Sequence, residues 1–336
     1  MMTGAAGLTD RQPLLLALDF GGSKHSAALL VPGQQTWLAQ ARIYSPPGRD
    51  AAYDQATMLR MARELLTTNP GNLVAIGVSF GGPVDARRGL VHLSYHVSGW
   101  DNTPLSEMLR AEFGVPVAVD NDGNVAALGE WRWGAGQGCG SLLYVTVSTG
   151  IGGGWVFGGR IYGGADGMAG EIGHVLVRPG GARCACGKRG CLEAEASGLA
   201  IARVAQERLA AEAGAGEMLR ALAGGSPAVP TAEHVARAAE RGDSLAAAVL
   251  EQAAAALGTG LGAAINLMNP ERVVLGGGVT RSGARYWQTI RETARAHALP
   301  LTRVDIRPAG LADDAPLWGA AALAESVADQ ECDQHA

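Results

Sequence analysis

The chain has 336 residues, 47% of them hydrophobic and 18% charged, which is enough apolar sequence to bury two sizeable cores. A collagen-like or low-complexity chain is excluded, because the 49 glycines have no repeating period and sit in clusters beside apolar runs. The formal net charge of −5 gives no basic footprint, so we expect no nucleic-acid partner.

The first thirteen residues, MMTGAAGLTDRQP, have neither a basic start nor an apolar centre. We therefore expect a loose tail here and no signal peptide. We also expect no membrane partner, because no apolar run approaches the length of a membrane span. The five cysteines are odd in number and three of them are clustered, which fits a reducing compartment better than a disulfide framework. The expected location is the cytoplasm.

The first half of the chain alternates apolar runs with glycine turns. Segments 14–20 and 26–31 predict a β-hairpin, and residues 53–68 have the spacing of a helix that stops at Asn-Pro-Gly. The sequence LVAIGVSFGGPVD predicts a strand that runs into a second glycine turn. In VPVAVDNDGNVAALGEW a strand is predicted to become a helix at an acidic corner.

The second half repeats this design. SLLYVTVSTGIGGG predicts a strand and a glycine turn, and WVFGGRIYGG a returning strand, about 130 residues after the first hairpin, which suggests a duplicated lobe. Helical stretches are predicted at 197–223 and 231–268, with the loop AGGSPAVP between them. INLMNPERVVLGGGV predicts a buried strand with a further glycine turn, and APLWGAAALAESV a closing helix. The alternation of strands and helices predicts an α/β fold.

Three of the glycine turns follow buried strands and could present backbone N–H groups to an anion. They lie at 19–24, where Asp19 adds a carboxylate for Mg²⁺ and Ser23 a hydroxyl, at 148–154, and at 275–278. The Walker spacing is missing, as is G-x-G-x-x-G after the first strand. A plain turn is the simpler interpretation of each one alone, but three together favour a nucleotide clamped between lobes.

The acidic corner carries Asp120, Asn121, Asp122 and Asn124. Helix capping alone would explain one such residue, because Asp and Asn are favoured N-caps. Four of them together suggest a further role. A carboxylate at the carboxyl end of a strand is well placed to act as base for a hydroxyl that attacks a γ-phosphate.

Cys184, Cys186 and Cys191, with His174 upstream, have the composition of a structural Cys₃His zinc site. A disulfide would leave one of these cysteines unpaired and His174 unexplained, and a redox pair would normally use C-x-x-C. Glu171 shares a helical face with His174, and closing the zinc knuckle should bring Glu193 near both. Such carboxylates and an imidazole suit a row of sugar hydroxyls, although a surface carboxylate remains the simpler interpretation of Glu193.

These motifs together resemble the ROK family (repressors, open reading frames and sugar kinases) over about residues 14–325. LDFGGSKHSAAL resembles the family's D-x-G-G-T-K start, and VDNDGNVAALGE resembles E-N-D-A-N-A-A-A-L-G-E. VSTGIGGG, GADGMAGEIGH, CACGKRGCLE and NPERVVLGGGV match further family motifs. The resemblance implies an actin-like (RNase-H-like), duplicated two-lobe ATPase fold with MgATP and a hexose in the cleft. It places a small lobe at 1–120, completed by a helix at about 316–336, and a large lobe with the zinc knuckle at 121–315.

The resemblance also implies residue roles. Asp122 would be the catalytic base for the sugar 6-hydroxyl, and His174 would serve both the zinc and the sugar. The implied sugar ligands are Asn121, Asp122, Glu171, His174 and Glu193, and the implied zinc ligands are His174, Cys184, Cys186 and Cys191. The implied ATP and Mg²⁺ residues are Asp19, Gly21, Gly22, Ser23 and Lys24 in the first loop, Ser148, Thr149, Gly150, Gly152, Gly153 and Gly154 in the second, and Gly276, Gly277 and Gly278 near the adenosine.

The chain departs from the family pattern at Ser23 (usually Thr), at Gly123 (usually Ala), and at 79–100, where SFGGPVD replaces G-x-P-G-x-V-D and His96 takes the place of an Asn. The implied activity is an ATP-dependent glucokinase, and relatives are commonly dimers or tetramers. Family members that act on N-acetylmannosamine, N-acetylglucosamine, allose or fructose are the alternatives. A sugar-sensing regulator is disfavoured, because the first strand near residue 14 leaves no room for a DNA-binding domain ahead of it.

Overall fold

A computed structural model describes residues 12–212, 214–224 and 229–335, without the side chains of 330–335. The predicted tail lies almost entirely outside this range, as does the middle of the predicted loop at 223–230. The chain divides into two compact units: the first runs to Trp133 and resumes at Asp314, and the second is Gly134–Asp313. The helix that begins at Asp122 therefore belongs to the first unit, whereas the sequence placed the boundary at 120/121.

The strands and helices follow the predicted alternation. In the first unit they are β1 (Pro13–Phe20), β2 (Lys24–Leu30), β3 (Ala39–Tyr44), α1 (Ala51–Thr68), β4 (Asn72–Phe80), β5 (Val84–Asp85), β6 (Leu90–Val91), α2 (Leu105–Phe113), β7 (Val117–Asn121) and α3 (Asp122–Trp133). The second unit has β8 (Ser141–Val147), β9 (Ile151–Phe157), β10 (Arg160–Ile161), α4 (Leu192–Ala196), α5 (Gly198–Ala211), α6 (Glu217–Leu222), α7 (Ala232–Glu240), α8 (Ser244–Met268), β11 (Arg272–Gly276), α9 (Ala284–His297) and β12 (Asp305–Pro308). The first unit is completed by α10 (Ala315–His335).

The first unit is built on a five-stranded sheet of order β3-β2-β1-β4-β7. β1 pairs with β2 and β2 with β3 in antiparallel fashion, whereas β1, β4 and β7 run parallel. Phe20 pairs with Phe80, which pairs with Asn121. Because these three strands end at one edge, the turn after β1, the loop after β4 and the start of α3 all lie there.

The second unit repeats the arrangement with the order β10-β9-β8-β11-β12. β8, β9 and β10 are antiparallel neighbours, and β8, β11 and β12 run parallel. Thr146 pairs with Gly276, so the turn after β8 and the turn after β11 share an edge. The identical strand order and directions confirm the duplication that the sequence predicted.

Apolar side chains on the two faces of the first sheet form separate cores. Leu14, Leu16 and Leu18 of β1 pack with α1, whereas Leu15 and Ala17 pack with α3 and α10, as the two-residue strand period requires. Small residues let α10 come close to its neighbours. A Cβ atom at Gly319 would overlap the carbonyl oxygen of Val125 in α3, and one at Gly77 of β4 would overlap that of Ala320.

One expectation about the second unit was wrong. α8 has 25 residues and a window of mean hydropathy 1.3, so by length and composition alone it could cross a membrane. From the sequence, no apolar run approaching the length of a membrane span was expected. In the structure 61% of that window is buried, and α8 packs against α4, α5, α7 and α9. Its apolar face is therefore largely covered by the unit's own helices.

Candidate functional site

Asp19 lies at the end of β1 with only 4% of its surface exposed, and its Oδ1 accepts a hydrogen bond from Ser79 Oγ at 2.9 Å. Burial raises the pKa of Asp19 to about 6; the Ser79 hydrogen bond acts against this, and the nearby charge of Asp122 adds to it. Such a buried carboxylate is poorly compensated by the protein itself. A cation would compensate it, in agreement with the Mg²⁺ role predicted for Asp19.

We expect Asp19→Asn to stabilise the fold above pH 6. Because the folded-state pKa is raised, the folded state binds the proton more tightly, and wild-type stability is lost as pH rises from about 4 to about 6. A rise from 3.8 to about 6 corresponds to about 3 kcal/mol of unfolding free energy. Denaturant unfolding in metal-free buffer at pH 4 and pH 8 measures this. Asp329→Asn, at an exposed position on α10, is the control; equal stabilities of Asp19→Asn and wild type at pH 8 would contradict the assignment.

Asp122 is the first residue of α3, at the same edge of the sheet as the turn after β1. Its Oδ1 accepts from the backbone N–H of Gly123 at 2.8 Å. Gly81 lies between the two features: a Cβ placed there would be 3.8 Å from Asp122 Oδ2 and 3.9 Å from the nitrogen of Gly22. The predicted base and the predicted first phosphate loop are therefore neighbours.

Asp120 and Asn121, in the same acidic corner, form hydrogen bonds with the protein's own backbone and side chains. Asp120 Oδ1 accepts from Asn121 N at 2.7 Å and from Asn124 Nδ2 at 3.0 Å, and burial raises the pKa of Asp120. Asn121 donates from Nδ2 to Gly82 O at 3.0 Å and accepts at Oδ1 from Gly123 N at 2.9 Å. Both ends of the Asn121 amide are thus engaged within the protein, which the sequence did not indicate.

In the second unit the turn after β8 is shorter than predicted, because β9 already begins at Ile151. Gly152, Gly153 and Gly154 lie in that strand and pair with β8, which corrects their placement in a phosphate turn. The remaining turn is Ser148, Thr149 and Gly150. Its three carbonyls accept from the backbone N–H groups of Gly198, Leu199 and Ser148, at 2.7, 3.3 and 2.9 Å.

The turn after β11 faces the same edge. Gly277 has a φ of +88°, and a Cβ there would overlap the backbone of Val147 at the end of β8, so only glycine fits. Gly276 belongs to β11, and Gly278 begins a short 3-10 helix with open space on its Cβ side.

The predicted metal ligands come together in the second unit. One ligand atom from each of His174, Cys184, Cys186 and Cys191 lies within 4.8 Å of all the others. Cys186 Sγ is 3.6 Å from Cys191 Sγ, and Cys184 Sγ is 3.6 Å from His174 Nδ1. A tetrahedral zinc with Zn–S bonds of about 2.3 Å and a Zn–N bond of about 2.0 Å needs ligand separations of about 3.5–3.8 Å. This donor set therefore fits zinc, and its S···S distance is far longer than a disulfide bond.

Two glycines of the cysteine loop have backbone angles that allow it to curve around this cluster. Gly187 and Gly190 have φ values of +87° and +79°, which lets the chain wrap around the four ligands. Burial raises the pKa of Cys191 to about 12, whereas the backbone N–H of Lys188 lowers the pKa of the exposed Cys186 thiol. A coordinated metal ion would deprotonate such thiols outright.

Glu171 precedes a short 3-10 helix, Ile172–His174, whose last residue is the cluster member His174. His174 Nε2 is 3.8 Å from Glu171 Oε2, and their side chains are 36% and 49% exposed. Because Nδ1 faces Cys184, His174 can bind a metal through one nitrogen and keep the other for a ligand. The predicted double role of His174 is therefore compatible with this geometry.

Glu193, at the start of α4, connects the metal cluster to the glycine turn. Its Oε2 accepts from Ile151 N at 3.0 Å, and a Cβ at Gly150 would be 2.5 Å from that oxygen. A Cβ built on Gly173, the residue before His174, would lie 3.5 Å from the Cβ of Glu193. One carboxylate oxygen of Glu193 is thus used within the protein.

Several residues near these features escaped the sequence analysis. Glu195 is 3% exposed at its side chain and accepts from Ala182 N at 2.6 Å, which fixes the cysteine loop. Ser79 donates the hydrogen bond to Asp19. A buried group of His25, Arg49 and Asp54 lies beside the first glycine turn. These residues are far apart along the chain, so no local motif marks them.

Comparison with known proteins gives consistent likenesses. The profile of the ROK family matches residues 15–327. A glucokinase of Halalkalibacterium halodurans is 41% identical over 74% of this chain and 75% of its own length. The transcriptional regulator NagC of Escherichia coli is 35% identical over 70% of this chain and 55% of its own length. The crystal structure of a ROK family glucokinase from Streptomyces griseus, in complex with glucose and AMPPNP, is 32% identical with a TM-score of 0.79, covering 93% of this chain and 99% of that one. These likenesses and the two matching sheets confirm the actin-like α/β fold.

Proposed function

This chain belongs to the ROK family, and we propose that it is an ATP-dependent glucokinase that phosphorylates the 6-hydroxyl of glucose. Support comes from glucokinase relatives at 32–41% identity and from the glucose and AMPPNP bound in the S. griseus structure. The observation that carries the proposal is the position of Asp122 beside the glycine turn at 21–24: a Cβ built on Gly81 would lie within 4 Å of both Asp122 Oδ2 and the nitrogen of Gly22. A base next to a phosphate site is the arrangement that phosphoryl transfer to a hydroxyl requires.

In this proposal Asp122 accepts the proton of the sugar 6-hydroxyl as that oxygen attacks the γ-phosphorus. The bond between the γ-phosphorus and the bridging β-phosphate oxygen breaks, and ADP leaves. In the same proposal, backbone N–H groups of the turn at 21–24 and those of Thr149 and Gly150 stabilise the phosphate charge, and Gly277 and Gly278 lie by the adenosine. Mg²⁺ held at Asp19 would neutralise part of the phosphate charge.

Asn121, Glu171, His174 and Glu193 are the proposed ligands of the other sugar hydroxyls. The half-exposed Glu171 and His174 are open to a ligand. Asn121 and Glu193 already make hydrogen bonds within the protein, so they would offer their remaining lone pairs. Exact recognition of the sugar therefore rests most on the Glu171–His174 pair.

We propose zinc for the Cys₃His cluster, with a structural task. His174 Nδ1 and the three thiolates complete four ligands and leave no open position for catalysis. The metal would fix the cysteine loop and with it His174, Glu171 and the start of α4. The cysteine clustering also supports a reducing, cytoplasmic location.

A panel of sugars tests the proposed substrate. In a coupled ADP-release assay with MgATP, we expect the highest kcat/KM for glucose, ahead of mannose, N-acetylglucosamine, N-acetylmannosamine, allose and fructose. The discrimination should reach about tenfold or more, because an unmatched hydroxyl or an added acetyl group leaves polar groups of the site unpaired. A sugar-free reaction serves as control for ATP hydrolysis. Preference for another sugar would keep the kinase mechanism and replace glucose as the substrate.

A sugar-sensing regulator is the second candidate, and the 35% identity to NagC is the observation that favours it. Such a protein would bind sugar without turning over ATP. Lack of phosphorylation with every sugar by metal-loaded protein, together with sugar binding in calorimetry, would support the regulator and reject the kinase.

A further inference from the structure

Arg49 lies against the carbonyl side of the first glycine turn. Its Nη2 donates to Gly22 O at 2.8 Å and to Gly21 O at 3.3 Å. The next carbonyl, that of Ser23, accepts from Ser45 N at 3.0 Å. Three consecutive carbonyls of the turn are therefore bonded to the protein, whereas in the described part of the chain we find no acceptor for the N–H groups of Gly22 and Ser23.

These carbonyl bonds determine where the N–H groups point. In a planar trans peptide the C=O and the following N–H point in opposite directions. Holding the carbonyls of Gly21 and Gly22 towards Arg49 therefore directs the N–H groups of Gly22 and Ser23 away from it. Oriented N–H groups of this kind form an anion site.

Arg49 is itself held by Asp54, which lies on α1. Arg49 Nε donates to Asp54 Oδ1 at 2.6 Å, and the two side chains are 8% and 3% exposed. His25 Nε2 is 2.7 Å from the same oxygen, and Trp100 Nε1 donates to Oδ2 at 3.3 Å. Burial acts to raise the pKa of Asp54, but its bonds with His25, Arg49 and Trp100 outweigh this and hold it below its usual value.

Asp54 thus receives hydrogen bonds from three separate parts of the first unit: β2, the segment before α1, and the loop between β6 and α2 that carries Trp100. Without the Asp54 carboxylate, the buried Arg49 guanidinium would lose its counter-charge, which is strongly unfavourable. The glycine turn would then lose the donor that fixes its carbonyls.

We propose that Arg49 and Asp54 are positioning residues for the phosphates of the nucleotide. Arg49 orients the N–H groups of the turn by holding its carbonyls, and Asp54 holds Arg49. Neither residue is assigned contact with the sugar or the transferred phosphoryl group. The proposal rests on the nucleotide role of this turn in the proposed function.

The test compares Arg49→Met and Arg49→Lys with wild type. In Arg49→Met, the affinity for MgADP in calorimetry should fall about tenfold or more, and KM for ATP should rise by a similar factor. This is the usual scale for losing charged hydrogen bonds. KM for glucose should change less than about threefold. Arg49→Lys should lie between Arg49→Met and wild type, because an ammonium keeps the charge but cannot span the carboxylate and both carbonyls as a guanidinium does.

The control is Arg63→Met, which removes an arginine of α1 whose pairing with Glu112 is at the surface, at 57% and 31% exposure. It should leave both nucleotide readouts unchanged.

Thermal unfolding checks that each variant folds. If Arg49→Met does not fold, the same measurements are made on Arg49→Lys and Asp54→Asn. A folded variant with unchanged MgADP binding and unchanged KM for ATP would overturn the proposal while the kinase assignment stands. If Arg49→Met weakens MgADP binding but the wild type phosphorylates no sugar, the positioning role stands and the proposed kinase function fails. If the wild type binds no nucleotide, both the positioning role and the kinase function are overturned.

Discussion

Asp122→Asn should lower kcat for glucose phosphorylation by about three or more orders of magnitude while leaving glucose and MgADP binding within about threefold of wild type. An amide cannot accept the proton of the 6-hydroxyl, yet it has the size of the carboxylate and can still accept the hydrogen bond from Gly123. Single-turnover kinetics and calorimetry on the same preparation separate the chemical step from binding.

Asp101→Asn is the matched control, because Asp101 is an exposed carboxylate of the same unit and the substitution changes the net charge equally. Its kcat should equal that of wild type. If Asp122→Asn keeps near-normal turnover, another group takes the proton and the assignment of the base is wrong. If the variant loses sugar binding to the same extent as turnover, Asp122 acts in binding and not as the base.

Cys186→Ser should lower zinc content, stability and glucose affinity together. Cys186 is exposed, so the substitution removes little packing, and a large loss of stability would report on the metal. We expect a loss of about 3 kcal/mol or more in unfolding free energy, about 6–12 °C in Tm, and about tenfold or more in glucose affinity. Metal analysis, thermal unfolding and calorimetry give the three values.

Cys139→Ser is the control. Cys139 is buried outside the cluster and donates to Gly136 O, a bond that a serine hydroxyl can replace. It should keep about one zinc per chain and wild-type glucose affinity. Treating wild type with a strong chelator should reproduce the Cys186→Ser result. Purified wild-type protein with far less than one zinc per chain would reject the zinc assignment.

The sequence predicted those parts of the site that lie on one continuous segment. The C-x-C and following cysteine, with His174 upstream, indicated a ligand set that the structure brings within 4.8 Å. The repeated strand–turn–strand pattern predicted the duplicated sheets, because buried strands and their glycine turns are local signals. From the parallel order of β1, β4 and β7 it then follows that Asp122 and the first turn share an edge.

Other features depend on contacts between distant segments and leave no local pattern. Arg49, Asp54, His25 and Trp100 meet only because α1 packs on the sheet. Gly152 to Gly154 resemble a loop in composition, yet they continue β9, since strand pairing with β8 outweighs the weak strand preference of glycine. The engaged amide of Asn121 is likewise visible only once the loop after β4 is in place.

The position of α10 has a consequence for the order in which the protein is made. The core that α10 shares with β1 and α3 needs Leu317, Ala320 and Ala321, which the ribosome adds after the whole second unit. The second unit is continuous in sequence and can fold as soon as it has emerged, since domains generally fold as units during synthesis. Until α10 arrives, one apolar face of β1 and β4 lacks the part of its cover that α10 provides. The first unit should therefore become resistant to proteases only after α10 has been made.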